Sequence, residues 1–366
     1  MKPAGLRTFL ILWIFVLSGC APTEPAGGPE SQYVLGTICL VNLYEQGRPE
    51  LYARVFARLR ELEDIFSANR EATDLDRVNQ NAGLAPVKVR PELILVLEKA
   101  LEYAEKSKGS FDPSIGPLVK LWGIGTDGAR IPGEEEIQQA LDLVNFRDVE
   151  IDPKGETVFL KRPGMALDLG AIAKGYAADE AAKLLAREGV NRGIIDLGGD
   201  IFALGEKRTA KNLTGVFQDL FNKLKPGGFE PDEGYWRIGI QDPREGRGMY
   251  VGILNVKNKS VVTSGTYERF FEEDGRRYHH ILSTENGFPV ENGLLSVTII
   301  ADKALDADAL STAAFALGWE RGRELIASAK GAEGIFVFDD LSLRLTGEAE
   351  SSFTLSAAEY RLLPRF

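Results

Sequence analysis

The sequence predicts an α+β fold in which amphipathic helices pack on mixed and antiparallel sheets. Three stretches predict it. Tyr52, Val55, Phe56, Leu59, Leu62, Ile65 and Phe66 recur at three and four residues, the spacing of a helix with one buried face. From Tyr235 the chain turns to short β-type runs at 236–240, 250–256, 260–263 and 294–301, whose order favours antiparallel pairing. A helical period returns from Ala304 to Leu317 and is closed by Gly318, with a second helix and a hairpin near Asp339-Asp340 after it. With 366 residues and 44% hydrophobic content, the chain can bury a sizeable core, as one large domain or two closely joined ones.

Ahead of the domain stands an address. Lys2 and Arg7 precede an apolar run, Phe9 to Leu17, that is too short and too one-sidedly flanked to span a membrane and suits a secretion signal. Leu17-Ser18-Gly19-Cys20 is similar to a bacterial lipoprotein box. Residues 1–20 thus read as a signal peptide whose cleavage leaves Cys20 lipidated, the alternative being an ordinary signal with an incidental cysteine. Residues 21–32, rich in Pro, Gly and Glu, read as a flexible tether. The expectation is a membrane-anchored lipoprotein facing the periplasm or extracytoplasmic side, held by several lipid chains. Cys39 then has no cysteine to pair with, and stability falls to the core.

The domain, 33–358, opens on a strand from Tyr33 to Tyr44, with Gly36-Thr37 as a point of close approach in its middle. After the first helix, a second runs from Pro91 to Lys108, with proline in its first turn and Gly109 at its end. Gly109 to Gly125 is an aromatic loop punctuated by glycine and proline, suited to a ligand wall or to a rigid connection. Pro132 to Val144 is a short helix with an acidic first turn, and strands follow at 149–151 and 157–160. Gly193 to Leu204 reads as two short strands pivoting on Gly198-Gly199, and 207–234 as a polar, glycine-rich insertion.

Two stretches carry the chemistry. From Asp168 to Asp179 an apolar strand breaks at glycine and a helix starts, its apolar side running Ile172, Ala173, Tyr176, Ala177, Ala181, Leu184 and Leu185. Free N–H groups in the first turn suit an anionic group such as phosphate; the plain alternative is a strand-to-helix turn with a capping aspartate. Asp308 and Thr312 lie four apart on one helix face and offer oxygen to a hard cation, or else complement the helix dipole and bond backward to a carbonyl. Only His279 and His280 are present, so the usual zinc sites are excluded and a metal must be held mainly by oxygen. A formal charge of −11 without any basic run excludes nucleic acid as a natural partner.

Asp168-Leu-Gly-Ala-Ile-Ala-Lys-Gly-Tyr176, Asp196-Leu-Gly-Gly-Asp200, Thr263-Ser-Gly-Thr-Tyr-Glu-Arg269, His279-His-Ile281 and Ala307-Asp-Ala-Leu-Ser-Thr312 resemble, in order, the signatures of the ApbE family of FAD:protein FMN transferases. The resemblance covers about Tyr33 to Ala358. It implies a T-fold-like core that binds FAD beside magnesium, and transfer of FMN from FAD to a threonine or serine hydroxyl of exported flavoprotein subunits, with release of AMP. Carried over by position, it puts magnesium on Asp308, Thr312 and the backbone carbonyl of Ala171. FAD would meet Leu35, Ser110, Phe111, Asp112, Asp168, Lys174 and Ile281, and His280 would accept the hydroxyl proton.

The chain departs from the family pattern in two places. Ser283 and Asn286 replace familiar residues after His-His-Ile, and Asn69, counted with the FAD contacts, stands where many members carry an aromatic ring. Without that ring the adenine side of FAD would be more open to water, which raises an alternative, hydrolysis of FAD to FMN and AMP. A further alternative is a lipoprotein that binds and carries FAD without turnover.

Overall fold

The computed structural model describes residues 27–207, 234–347 and 349–364. The expected signal peptide with Cys20, the tether up to residue 26 and insertion residues 208–233 lie outside the described residues.

In chain order the elements are β1 (Glu30–Val34), β2 (Thr37–Leu43), α1 (Pro49–Phe66), α2 (Asp74–Gln80), β3 (Val87–Lys88), α3 (Pro91–Lys106), α4 (Gly116–Trp122) and α5 (Glu134–Leu141). Next come β4 (Val149–Asp152), β5 (Thr157–Leu160), α6 (Ala173–Arg187), β6 (Gly193–Leu197), β7 (Ile201–Leu204), β8 (Trp236–Gln241), β9 (Tyr250–Val256) and β10 (Lys259–Gly265). The chain closes with β11 (Phe270–Glu273), β12 (Arg276–His279), β13 (Leu294–Ala301), α7 (Ala304–Ser328), β14 (Glu333–Phe338), β15 (Ser342–Leu345), α8 (Ala349–Ser352), β16 (Phe353–Leu355) and β17 (Arg361–Leu362).

A nine-stranded sheet, ordered β1-β2-β6-β7-β10-β13-β14-β15-β17, forms the centre. Its pairings are antiparallel except β15 with β17. In β13, Val297 and Ile299 pack into the helical core of α1, α3, α6 and α7, while Ile300 packs under the small β16-β9-β8 sheet on the other face. Both faces of β13 are therefore covered, which is why its sequence is apolar at nearly every position. α7 breaks at Gly318, whose φ of 73° and ψ of −179° interrupt two helical halves, as the glycine predicts.

The expected single strand from 33 to 44 is instead a hairpin. β1 pairs with β2 across a two-residue turn, Leu35-Gly36, with φ of 56° and 69°. Positive φ at both central residues is the turn that suits the twist of two adjacent strands. β1 begins at Glu30, so the last residues assigned to the tether belong to the sheet.

Candidate active site

The Asp168–Asp179 stretch and α7 cross at Gly175, and this crossing is the floor of the candidate site. At Gly175 the helices approach so closely that a Cβ there would overlap the Ala304 carbonyl oxygen and lie 2.8 Å from Asp308 Cβ. Only glycine fits. Four residues on, the buried Asp179 carboxylate accepts the Ala304 and Leu305 N–H groups at 3.0 and 3.2 Å, capping the start of α7 from a neighbouring helix. Such a cap contributes about 1 kcal/mol and sets where α7 begins relative to α6.

That crossing produces a free carbonyl. In a regular helix the Gly175 N–H would donate to the Ala171 carbonyl. Here it donates to Asp308 Oδ2 at 2.9 Å, and the helical ladder resumes with Tyr176 N–H to Ile172. Among the described residues no backbone N–H takes the Ala171 carbonyl. The same bond narrows the expectation of free first-turn amides: Ala173 N–H donates to Leu169 and Gly175 N–H to Asp308, while among the described residues the Lys174 N–H meets no backbone carbonyl. Asp168 is no helix cap either. Its Oδ1 accepts the Gly170 N–H at 2.8 Å, and the helix starts later, after an Ile172 cap without a side-chain bond. Before it, Ala166 makes a single parallel bridge to Ile115 where a strand was expected.

Lys174 is the cation of the floor. Its Nζ lies 2.6 Å from Asp200 Oδ2 and 3.7 Å from Asp308 Oδ1. Asp200, only 3% exposed, is delivered by the Gly198-Gly199 turn, with φ of 72° and 103°, which Asp196 braces by accepting the Gly199 N–H at 2.7 Å. Burial pushes the Asp200 carboxyl up to about 7, against the pull of Lys174 and with the repulsion of Asp308. Burial likewise raises Asp308, opposed by Lys174 and the Gly175 N–H. For Lys174 burial disfavours the ammonium, but Asp200 and Asp308 outweigh it and hold it charged. One turn beyond Asp308, Thr312 Oγ1 lies 3.0 Å from Ser264 Oγ, which also meets Ser311 Oγ at 2.7 Å.

The residues named for magnesium fit a hard cation: a buried carboxylate, a hydroxyl and a carbonyl that no donor occupies are all oxygen. Among the described residues no three or more His, Cys, Asp or Glu side chains are grouped so as to hold a metal ion by themselves.

A second part of the site flanks the β11–β12 hairpin, called here its wall, whose Tyr278 stacks on Trp122 of α4 at 5.8 Å and on Phe271 at 5.2 Å. His280 rests on one backbone oxygen: its N–H donates to the Arg269 carbonyl at 3.1 Å and its Nδ1 lies 3.3 Å from the same atom. Burial, then the Arg269 charge, push its imidazole down to about 4. His279 is structural. Its Nδ1 accepts the Ile281 N–H at 3.3 Å, so Nε2 carries the proton given to the Val290 carbonyl at 3.0 Å, and the ring packs edge-on against Phe315.

Residues 35–336 match the ApbE family. The chain belongs to the ApbE family. A relative from Treponema pallidum (strain Nichols), named FAD:protein FMN transferase, is 40% identical over 324 residues, covering 86% of this chain and 85% of its own. One of the same name from Klebsiella pneumoniae (strain 342) is 34% identical, covering 91% of this chain and 96% of its own. Among solved structures, the ApbE protein of Thermotoga maritima superposes with a TM-score of 0.71 at 29% identity, covering 90% of this chain and 96% of its own. The flavin transferase ApbE of Vibrio cholerae does so with 0.70 at 25%, covering 92% and 99%.

Within this ApbE-family fold the named residues divide into groups. Lys174 and Asp308 meet on the floor, with Ala171 one turn before the Gly175 N–H that Asp308 accepts and Thr312 one turn beyond Asp308. Ser110, Phe111 and Asp112 sit in a loop joined to Asp168 through the Asp168 N–H and the Pro113 carbonyl at 2.9 Å. The Asp112 carboxylate is occupied in holding that loop, accepting from Ser114 N–H and Oγ at 2.8 and 2.7 Å and from Phe146 N–H at 2.9 Å. Ile281 is buried beside His279, and Leu35 lies in the β1–β2 turn. Asn69 is exposed after α1, its N–H on Ser67 Oγ. Ser283 and Asn286 close their own loop, each accepting a nearby N–H. Sequence reasoning assigned no role to Gly175, Asp179, Asp200, Glu268 or Arg269. Asp200 had one local signal, its place directly after two glycines; Gly175 and Asp179 had none without knowledge of where α7 crosses.

Proposed function

We propose that this chain transfers the FMN moiety of FAD to a threonine or serine hydroxyl of exported flavoprotein subunits and releases AMP, with magnesium held by Asp308, Thr312 and the Ala171 carbonyl. The observation that carries it is the diverted Gly175 N–H, which ties the buried Asp308 carboxylate, 3.7 Å from Lys174 Nζ, to the first turn of α6 and leaves the Ala171 carbonyl without a backbone donor.

Bound there, magnesium would supply Lewis-acid neutralisation of the phosphate oxygens. The rest falls to the protein. Asp200 holds Lys174, so that its ammonium stays charged beside the site of the anionic phosphates. The Arg269 carbonyl engages His280 Nδ1, which favours the tautomer with a proton there and leaves Nε2 as the open acceptor. With its imidazole pushed down to about 4, His280 is neutral at pH 7 and can take the hydroxyl proton as oxygen bonds to the FMN phosphorus. The bond from that phosphorus to the oxygen of AMP breaks, and AMP leaves with the electron pair. Anchorage at Cys20 on the periplasmic side would place this reaction where exported acceptors fold.

Hydrolysis of FAD is the second reading, favoured by the exposed Asn69, which offers no ring to cover the flavin's adenine side. Incubation with FAD, magnesium and a candidate acceptor tests both. A mass gain of one FMN that EDTA abolishes is the expected result, and labelling indifferent to EDTA overturns it. AMP released without any acceptor identifies the hydrolytic activity. FAD retained without any turnover would mark a carrier.

A further inference from the structure

We propose that Arg269 grips the AMP-side phosphate of FAD from beside the β1–β2 turn, an assignment that rests on the flavin-transfer reading above. Its side chain lies in a lane made by two glycines. An ideal Cβ on Gly125 would sit 3.4 Å from Arg269 Cδ, so the arginine stem runs directly over that residue. At the far end, an ideal Cβ on Gly36 would lie 3.8 Å from Arg269 Nη2, so the guanidinium reaches the Leu35-Gly36 turn. Both glycines hold positive φ, 87° and 69°. The arginine thus spans from the loop after α4 to the β1–β2 hairpin.

The guanidinium is unclaimed. Among the described residues it makes no ion pair or hydrogen bond, although its charge acts on Asp168, Glu268 and His280. An arginine carries five donors in a planar fork that matches phosphate, and here it is kept off the surrounding carboxylates. The floor cannot serve both phosphates, because Lys174 is bound to Asp200 and faces Asp308. A pyrophosphate has two anionic centres, and Arg269, reaching the Leu35-Gly36 turn, is a second cation for it. When the bond to AMP breaks, charge develops on the departing oxygen, and a fixed guanidinium there stabilises it. The backbone carbonyl of the same residue holds His280, so one residue sets both the proton acceptor and the leaving group's partner.

The test is binding to the full chain in magnesium: FAD and FMN by flavin fluorescence, AMP by competition against FAD. Arg269→Ala should weaken FAD and AMP roughly tenfold or more, as loss of a charge-assisted contact does, while FMN stays within about twofold. Arg269→Lys should recover part of the AMP affinity. FAD and AMP binding as tight as wild type would overturn the assignment, and so would equal losses for FAD, AMP and FMN, which mark a collapsed wall. If the wild-type chain binds no FAD, the flavin reading itself fails; wild-type binding left intact by Arg269→Ala sinks only this inference.

Discussion

On the floor of the candidate site, Gly175, Asp179, Asp200 and Asp308 are buried, and their polar groups are spent on one another or on backbone. On the wall, Arg269 is exposed, and His280 is half-buried on a single carbonyl. The floor is made by the fold itself: remove the crossing of α6 and α7 and neither the free carbonyl nor the oriented carboxylate survives. The wall is made by side chains hung on a small hairpin, which can be altered with little cost to the core. Floor substitutions that disturb the crossing should therefore lose stability and cation handling together, whereas wall substitutions should change substrate handling in an intact protein.

The largest effect is expected at Gly175. Gly175→Ala drives a methyl into the Ala304 carbonyl and separates the two helices, with overpacking costs of about 1–3 kcal/mol or more. The melting temperature should fall by several degrees and magnesium-dependent turnover should vanish. Unchanged stability and activity would mean that the floor is not the rigid unit described.

Asp308→Asn is next, and it separates the floor's two duties. An asparagine oxygen can still accept the Gly175 N–H, so folding should persist, but the anionic ligand is gone. Turnover should drop by roughly two orders of magnitude or more, in keeping with loss of an electrostatic anchor, while the thermal midpoint moves little. An active Asp308→Asn enzyme would remove the cation from this place.

Asp200→Asn should act more mildly and through Lys174. With a neutral amide in place of the carboxylate at 2.6 Å, the ammonium would be drawn toward Asp308, now 3.7 Å away, and compete with the cation. The magnesium concentration for half-maximal turnover should rise about tenfold, one decade for about 1.4 kcal/mol, with kcat changed less. A fall in kcat with no change in magnesium dependence would argue that Asp200 serves FAD rather than the floor.

The same contrast explains what could be read from the sequence. The apolar period from Tyr52 to Phe66, the pivot at Gly198-Gly199 and the break at Gly318 are local rules, and each element stands where its residues imply. The β1–β2 hairpin was hidden because Leu35, a residue with no turn signature, adopts φ of 56°. The floor's logic was hidden for another reason. Asp168 reads as a cap, and the Gly175 N–H as one of the free amides of the first turn of α6, until Asp308 arrives from a helix 133 residues later and takes that N–H. Motif order pointed to Ala171 and Asp308; only the crossing explains why that carbonyl is free.

The smallest effect is a pH profile, and it tests the wall. Because His280 is pushed down to about 4, its neutral form persists as pH falls from 8 to 5, and kcat/KM should lose nothing through it until pH approaches 4. The linkage has the same sign. A histidine depressed below its ordinary 6.5 contributes stability that is full above 6.5 and is lost as pH falls toward 4, since the unfolded chain takes up the proton first. Asp200 and Glu268, each raised to about 7 by desolvation and with Lys174 opposing, can add an inflection near neutrality. The variants separate them: an inflection near 7 that survives His280→Ala but disappears in Glu268→Gln belongs to the carboxylate. Arg269→Ala, which removes the second cause of the depression, should move the acid limb upward in pH. If the limb stays near 4 in that variant, burial alone sets the histidine and the arginine charge does not reach it.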